Sequence, residues 1–97
     1  MEKRYFALKL IPRRPDFIAT MTEDEKNIMQ QHKAYWQDYM NKGMVLVFGP
    51  VLDPAGAYGL GIVAVQNEEQ VKELISSDPA ATINQYEYHP MMAVIPG

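Results

Sequence analysis

HKAYWQDYMNKGMVLVFGPVLDP, residues 32–54, is the stretch whose reading decides the fold. It carries a histidine on the apolar side of a helical pattern, a glycine stop at Gly43, an unbroken apolar run from Met44 to Phe48, and a Gly49-Pro50 break. A 3.6-residue periodicity that gives way at a glycine to a run apolar on both alternations describes a helix returning into a buried strand. One titratable ring, His32, then points at the core.

Toward the N-terminus, Thr22 with Glu25 three residues on has the form of a capping box, and Glu23 and Asp24 suit the positive end of a helix dipole. Ile28, His32, Tyr35, Trp36 and Tyr39 recur at spacings of three and four, widened by Met29 and Met40, while Lys26, Gln30, Lys33 and Gln37 fall outside the stripe. The helix therefore runs from Thr22 to Lys42-Gly43, roughly 20 residues or about 30 Å, with His32 between Ile28 and Trp36. Before it, Arg4 to Ile11 alternates, with Phe6, Leu8 and Leu10 on one face and Tyr5, Ala7, Lys9 and Ile11 on the other. Pro12 and Pro15 stop that strand, and Pro12 to Met21 reads as a loop, either a flap or a packed surface excursion.

Toward the C-terminus, Met44 to Leu52 is apolar on both alternations and reads as a central strand covered on both faces. Asp53-Pro54-Ala55-Gly56 is a turn, and Tyr58 to Val65 is the return strand of a hairpin. Gly59 and Gly61 share a face, leaving room for another element, a ligand or a partner's side chains, close packing being the commonest reason for such glycines. Asn67 and Gln70 cap a second helix with Val71, Leu74 and Ile75 as its stripe. Asp78-Pro79 ends it, and the proline holds Asp78 out of helical geometry, with its carboxylate free to turn inward. Ile83 to Val94 supplies the last strand, in which Pro90 fits best at an edge or a bulge.

The order β-α-β-β-α-β predicts an α+β, ferredoxin-like fold, a four-stranded antiparallel sheet with two helices on one face. In the hairpin the helix-free face is apolar as well. That calls for a homodimer packed sheet face to sheet face. Tyr5, Lys9, Gln85, Glu87 and His89, read as lying on outer strands, then line a cleft beside that interface or form its wet rim.

Ninety-seven residues with 47% hydrophobic content make one domain spanning 1–97. A net charge of −3 and a pI near 5.2 argue against nucleic acid, which needs clustered Lys and Arg. The Arg13-Arg14 pair lies in a loop, where such pairs are usually solvated. There is no cysteine, hence no disulfide, thiolate nucleophile or zinc-thiolate site. Met1-Glu2-Lys3-Arg4 leads straight into strand residues without a signal-peptide core, and no apolar run approaches a membrane span, so a cytoplasmic protein without membrane or cofactor is expected.

The two histidines lie on different elements with no metal-ligand spacing, and Gly56, Gly59 and Gly61 belong to a hairpin rather than a phosphate loop. Glu23-Asp24-Glu25 is a helix start, Ser76 and Ser77 are helix-end residues, and the tyrosines around Trp36 are core filling. His32 remains. It can shuttle protons if a carboxylate fixes its tautomer and a pocket brings substrate to it; otherwise it is a satisfied core or interface histidine.

The ordered set His32 with Tyr35-Trp36, Gly43, Phe48-Gly49-Pro50-Val51, Asp53-Pro54-Ala55-Gly56, Gly59 to Gly61, Asp78-Pro79 and Pro90 resembles the YciI-like, or YCII-related, family over almost the whole chain. The resemblance implies the dimeric α+β barrel and a candidate dyad of His32 and Asp78. One characterised relative is a dehydrochlorinase acting on a chlorinated hydroxyhydroquinone, and the muconolactone isomerases share the barrel. Both process small cyclic, oxygenated molecules by proton transfer without a metal. By resemblance, the implied activity is that of a lyase or isomerase in which His32 moves the proton, Asp78 orients it, and Lys9, Arg13 or Arg14 holds an anionic substrate. Tyr35 and the Gly49-Pro50 backbone border the pocket. The alternative is a non-catalytic small-ligand-binding or accessory homodimer with a structural His32. The chain departs from the common family pattern at Ala80, where phenylalanine is frequent, and at Met91-Met92, where a tryptophan often closes the last strand.

Overall fold

A computed structural model describes residues 3–96; the reading of Met1 and Glu2 as a leaderless start lies outside the described residues. The elements are β1 (Arg4–Ile11), α1 (Phe17–Thr20), α2 (Glu23–Asn41), β2 (Val45–Val51), β3 (Tyr58–Val65), α3 (Glu68–Ser76), a 3-10 turn (Pro79–Thr82) and β4 (Gln85–Met91). The four strands form one antiparallel sheet in the order β2-β3-β1-β4, the ferredoxin-like α+β arrangement.

Local chemistry accounts for the helix ends. Thr22 Oγ1 accepts from Glu25 N at 3.1 Å while Glu25 Oε1 accepts from Thr22 N at 2.9 Å, so the capping box is complete. Asn67 caps α3 by accepting from Gln70 N at 3.0 Å. Gly43 leaves α2 with φ +83°, a conformation that side chains with a Cβ rarely adopt. In the hairpin, Asp53 accepts from Gly56 N through its carbonyl and from Ala55 N through its side chain, both at 2.9 Å, and so closes the β2–β3 turn.

The core lies between the sheet and α2 and α3. Phe6 and Leu8 of β1, Val63 and Val65 of β3, and Val45 of β2 pack against Trp36 of α2 and Val71 and Leu74 of α3. Gly61 faces this layer, and a Cβ there would overlap the Trp36 ring; one at Gly59 would stand 3.1 Å from Leu10 Cβ. Gly61 is therefore where the Trp36 ring of α2 lies directly against the sheet.

Four expectations need correction. Met44 to Leu52 does not supply a central strand: β2 is an edge, with Leu46 41% and Val47 58% exposed. Its second apolar alternation, Val47 and Val51, lies on the helix-free face, and a register shift between Val45 and Val47 turns Leu46 outward as well. Conversely, the strand carrying Tyr5 and Lys9 is not an outer one, because β1 pairs with both β3 and β4. The last strand is shorter than Ile83 to Val94. Ile83 and Asn84 close the 3-10 turn by donating to the Ala80 carbonyl, and Met92 and Val94 are almost wholly exposed beyond β4. Pro90 does sit on an edge strand, where its missing N–H costs no ladder bond on the open side. Finally, the loop Pro12 to Met21 contains the short helix α1, which buries Phe17. Among the described residues no helix is long and apolar enough to cross a membrane.

Candidate functional site

The site is built around a buried carboxylate. Pro79 holds Asp78 in extended geometry, φ −74° and ψ 125°, and the side chain folds back to accept from Ala80 N at 2.9 Å, starting the 3-10 turn between α3 and β4. That corner faces the middle of α2. His32 and Trp36 lie one helical turn apart on the same face, and both reach the carboxylate: His32 Nδ1 is 2.8 and 3.0 Å from its two oxygens, and Trp36 Nε1 donates to Oδ2 at 2.9 Å. From β4, the Tyr86 hydroxyl donates to the same Oδ2. Asp78 is thus sealed from solvent and surrounded by donors from three elements.

Charge follows from that arrangement. Burial pushes the Asp78 carboxyl up, but the hydrogen bonds from His32 and Tyr86, the nearby imidazole charge and the Ala80 N–H outweigh it and hold the group below the ordinary carboxylate range. Asp78 is therefore ionised. An ionised carboxylate only accepts hydrogen bonds, so Nδ1 of His32 carries the proton between them. Nε2 then holds a lone pair when the ring is neutral. Tyr86 is shifted in the opposite sense: burial, then the Asp78 charge, push its hydroxyl well above the usual tyrosine range, so it stays a donor.

The His32 ring, its side chain 14% exposed, forms part of the wall of a cleft of about 580 Å³ between α2, α1 and the helix-facing side of the sheet. Leu8, Leu10, Gly59 and Gly61 make its floor, Met29 and Trp36 one wall, and Phe17, Ile18 and Met21 the α1 side. Its size and apolar lining suit a small organic ligand.

The residues singled out in the sequence separate into two groups. His32 and Asp78 are brought together, and Gly49 and Pro50 line the cleft. Lys9 is not there: it lies on the helix-free face, with Nζ 4.5 Å from the centre of the Tyr58 ring. Arg14 is committed elsewhere, donating to both Glu25 oxygens at 2.7 and 3.0 Å and to the Thr20 carbonyl at 2.8 Å, and so ties the loop around α1 to the start of α2. Arg13 donates to the Ile83 carbonyl at 2.9 Å. Lys9 and both arginines border a separate hollow of about 240 Å³ instead. Tyr35 donates to the Leu74 carbonyl at 2.7 Å and packs edge-on against Tyr39, joining α2 to α3 outside the cleft. Lys9, Arg13, Arg14 and Tyr35 thus lie outside the cleft that His32 lines.

Sequence reasoning passed over Trp36 and Tyr86 as partners of Asp78, and Lys33, Gln37 and Asn84 as cleft residues. Trp36 carried a usable signal, the i to i+4 spacing from His32. Tyr86 carried one only after the β4 register was known, since Tyr86 pairs with Leu10 and shares its face. Among the described residues no three His, Asp or Glu side chains gather as a metal site requires.

Compared with known families, residues 6–94 match the YCII-related domain. The chain belongs to that family. No curated protein matches it. For this YCII-related chain, then, the family rests on the sequence match, and any chemistry has to be argued from the cleft and its His32–Asp78 pair.

Proposed function

We propose that the protein is a cofactor-independent enzyme of the lyase or isomerase type, moving a proton on a small cyclic or oxygenated organic molecule held in the cleft. The observation that carries this reading is the buried Asp78 carboxylate 2.8 Å from Nδ1 of a histidine whose ring lines the cleft. Asp78 fixes the tautomer and stabilises the imidazolium that forms. His32 Nε2 takes a proton from a carbon or hydroxyl of the substrate and returns it to another atom, or keeps it while a leaving group departs. Apolar walls exclude water from the abstracted position and strengthen the Asp78–His32 interaction. Such proton transfer contributes about 10²–10⁴-fold to a rate.

A second reading is favoured by one observation: Asp78 also accepts from Trp36, Tyr86 and Ala80, as a carboxylate knitting α2 to β4 does. In that case the protein binds small molecules without turning them over. We also infer a homodimer through the helix-free sheet face, where Ala7, Ile11, Val47, Val51, Leu60 and Ile62 lie on neighbouring strands.

The test is a panel of hydroxylated, halogenated and lactone-bearing ring compounds incubated with the wild type and with His32→Ala at matched folding. Turnover that falls about 100-fold or more in the variant supports the enzyme. Equal turnover in the two ends the dyad mechanism.

A further inference from the structure

One polar atom in the cleft region is unaccounted for. Asn84, between the 3-10 turn and β4, lines the cleft, and its Oδ1 is shut off from solvent with no hydrogen-bond partner. Its Nδ2 faces only the Met29 sulfur, at 3.6 Å, a weak acceptor. Buried amide oxygens in folded proteins are nearly always paired, so an orphan beside a ligand-sized space marks a position whose partner is not part of the chain.

Resting on the reading of the cleft as the ligand site, we propose that Asn84 is a specificity-determining residue: its amide oxygen receives a hydroxyl or N–H of the bound molecule. His32, one turn along α2 from Met29, lines the same cleft, so a ligand there meets two acceptors, Nε2 and Oδ1. Met29 is unbranched and pliable, and its displacement by an entering ring opens the amide to the cleft. The chemistry selected is an apolar ring bearing a hydrogen-bond donor. Lys9, Arg13 and Arg14 lie in the other hollow, and the cation lining this cleft is Lys33, exposed on α2. An amide oxygen only accepts, so an ionised carboxylate is not the group Asn84 recognises.

The probes are naphthol, which has the donor, and its methyl ether, which has the same rings without it. Binding to the wild type, Asn84→Leu and, should leucine disturb folding, Asn84→Ala is measured by calorimetry, with the His32 ring signals followed by NMR. The wild type should prefer naphthol by about tenfold, the worth of one buried hydrogen bond. In the Asn84 variant most of that preference should vanish, while the ether binds within about threefold of its wild-type affinity. Without ligand, the variant's thermal midpoint should be unchanged or higher, because the orphan oxygen is gone; a structural amide would instead give a drop and overturn the proposal. An undiminished naphthol preference in the variant also overturns it, and if the His32 signals still respond to naphthol, the cleft reading survives that result. Silence of the His32 signals with both probes overturns the two together.

Discussion

At the scale of single residues, Asp78 is the group on which the site depends. Ionisation of a fully buried carboxylate is costly, and here the donors of His32, Trp36, Tyr86 and Ala80 compensate it. Removing one donor should therefore be felt as stability as well as activity. Tyr86→Phe deletes a hydrogen bond to a charged group and is expected to cost about 1.5–3 kcal/mol in urea unfolding. Because His32 keeps its contact with Asp78, turnover at saturating substrate should fall less in Tyr86→Phe than in Asp78→Asn, which removes the charge that stabilises the imidazolium. Asp78 and His32 were legible in the sequence as an inward histidine and a proline-held corner. Their pairing came only with the family resemblance, since nothing in local patterning says that residues 46 positions apart meet.

At the scale of elements, two joints hold the cleft open and in register. The first is the approach of α2 to β3 at Gly61. Alanine there would drive a methyl into the buried Trp36 ring, and overpacking of this kind costs about 1–3 kcal/mol. Gly61→Ala should lower the thermal midpoint and shift Trp36 fluorescence; an unchanged midpoint would mean that the helix does not sit this close. The second joint is Arg14 on Glu25, which anchors the α1 strap to the start of α2. The Arg14 hydrogen bond, followed by the Thr22 N–H, holds the Glu25 carboxyl at about 2 against an ordinary 4.5. Across that interval the unfolded chain binds more protons than the folded one, so stability is full above about 4.5 and is lost as the pH falls toward 2. Urea midpoints measured through this window should drop in the wild type, and drop less in Glu25→Gln. The starts of α2 and α3, the Gly43 exit and the hairpin turn were readable in advance because caps and turns are local chemistry. The position of β2 at an edge was not. Val47 and Val51 make the strand apolar on both sides, and sequence alone does not say whether its second cover belongs to the same chain.

At the scale of the whole molecule, the two faces of the ferredoxin-like sheet differ: the helix-bearing side holds the cleft, and the other presents an apolar patch on β1, β2 and β3. Ile62 stands at its middle, opposite Ala7 of β1 and Val47 of β2. Sedimentation should show the wild type passing from monomer to dimer with concentration, and Ile62→Lys remaining monomeric with its cleft intact. A wild type that stays monomeric at every concentration would contradict the dimer. For the site itself, the most direct measurement is the imidazole nitrogen spectrum of labelled protein at mildly alkaline pH, with His32 assigned by substitution. The expected result is a ring protonated at Nδ1 and bare at Nε2, whose Nε2 signal moves when naphthol is added. A ring protonated at Nε2, or one indifferent to every ligand tried, would contradict the assignment of His32 as the base.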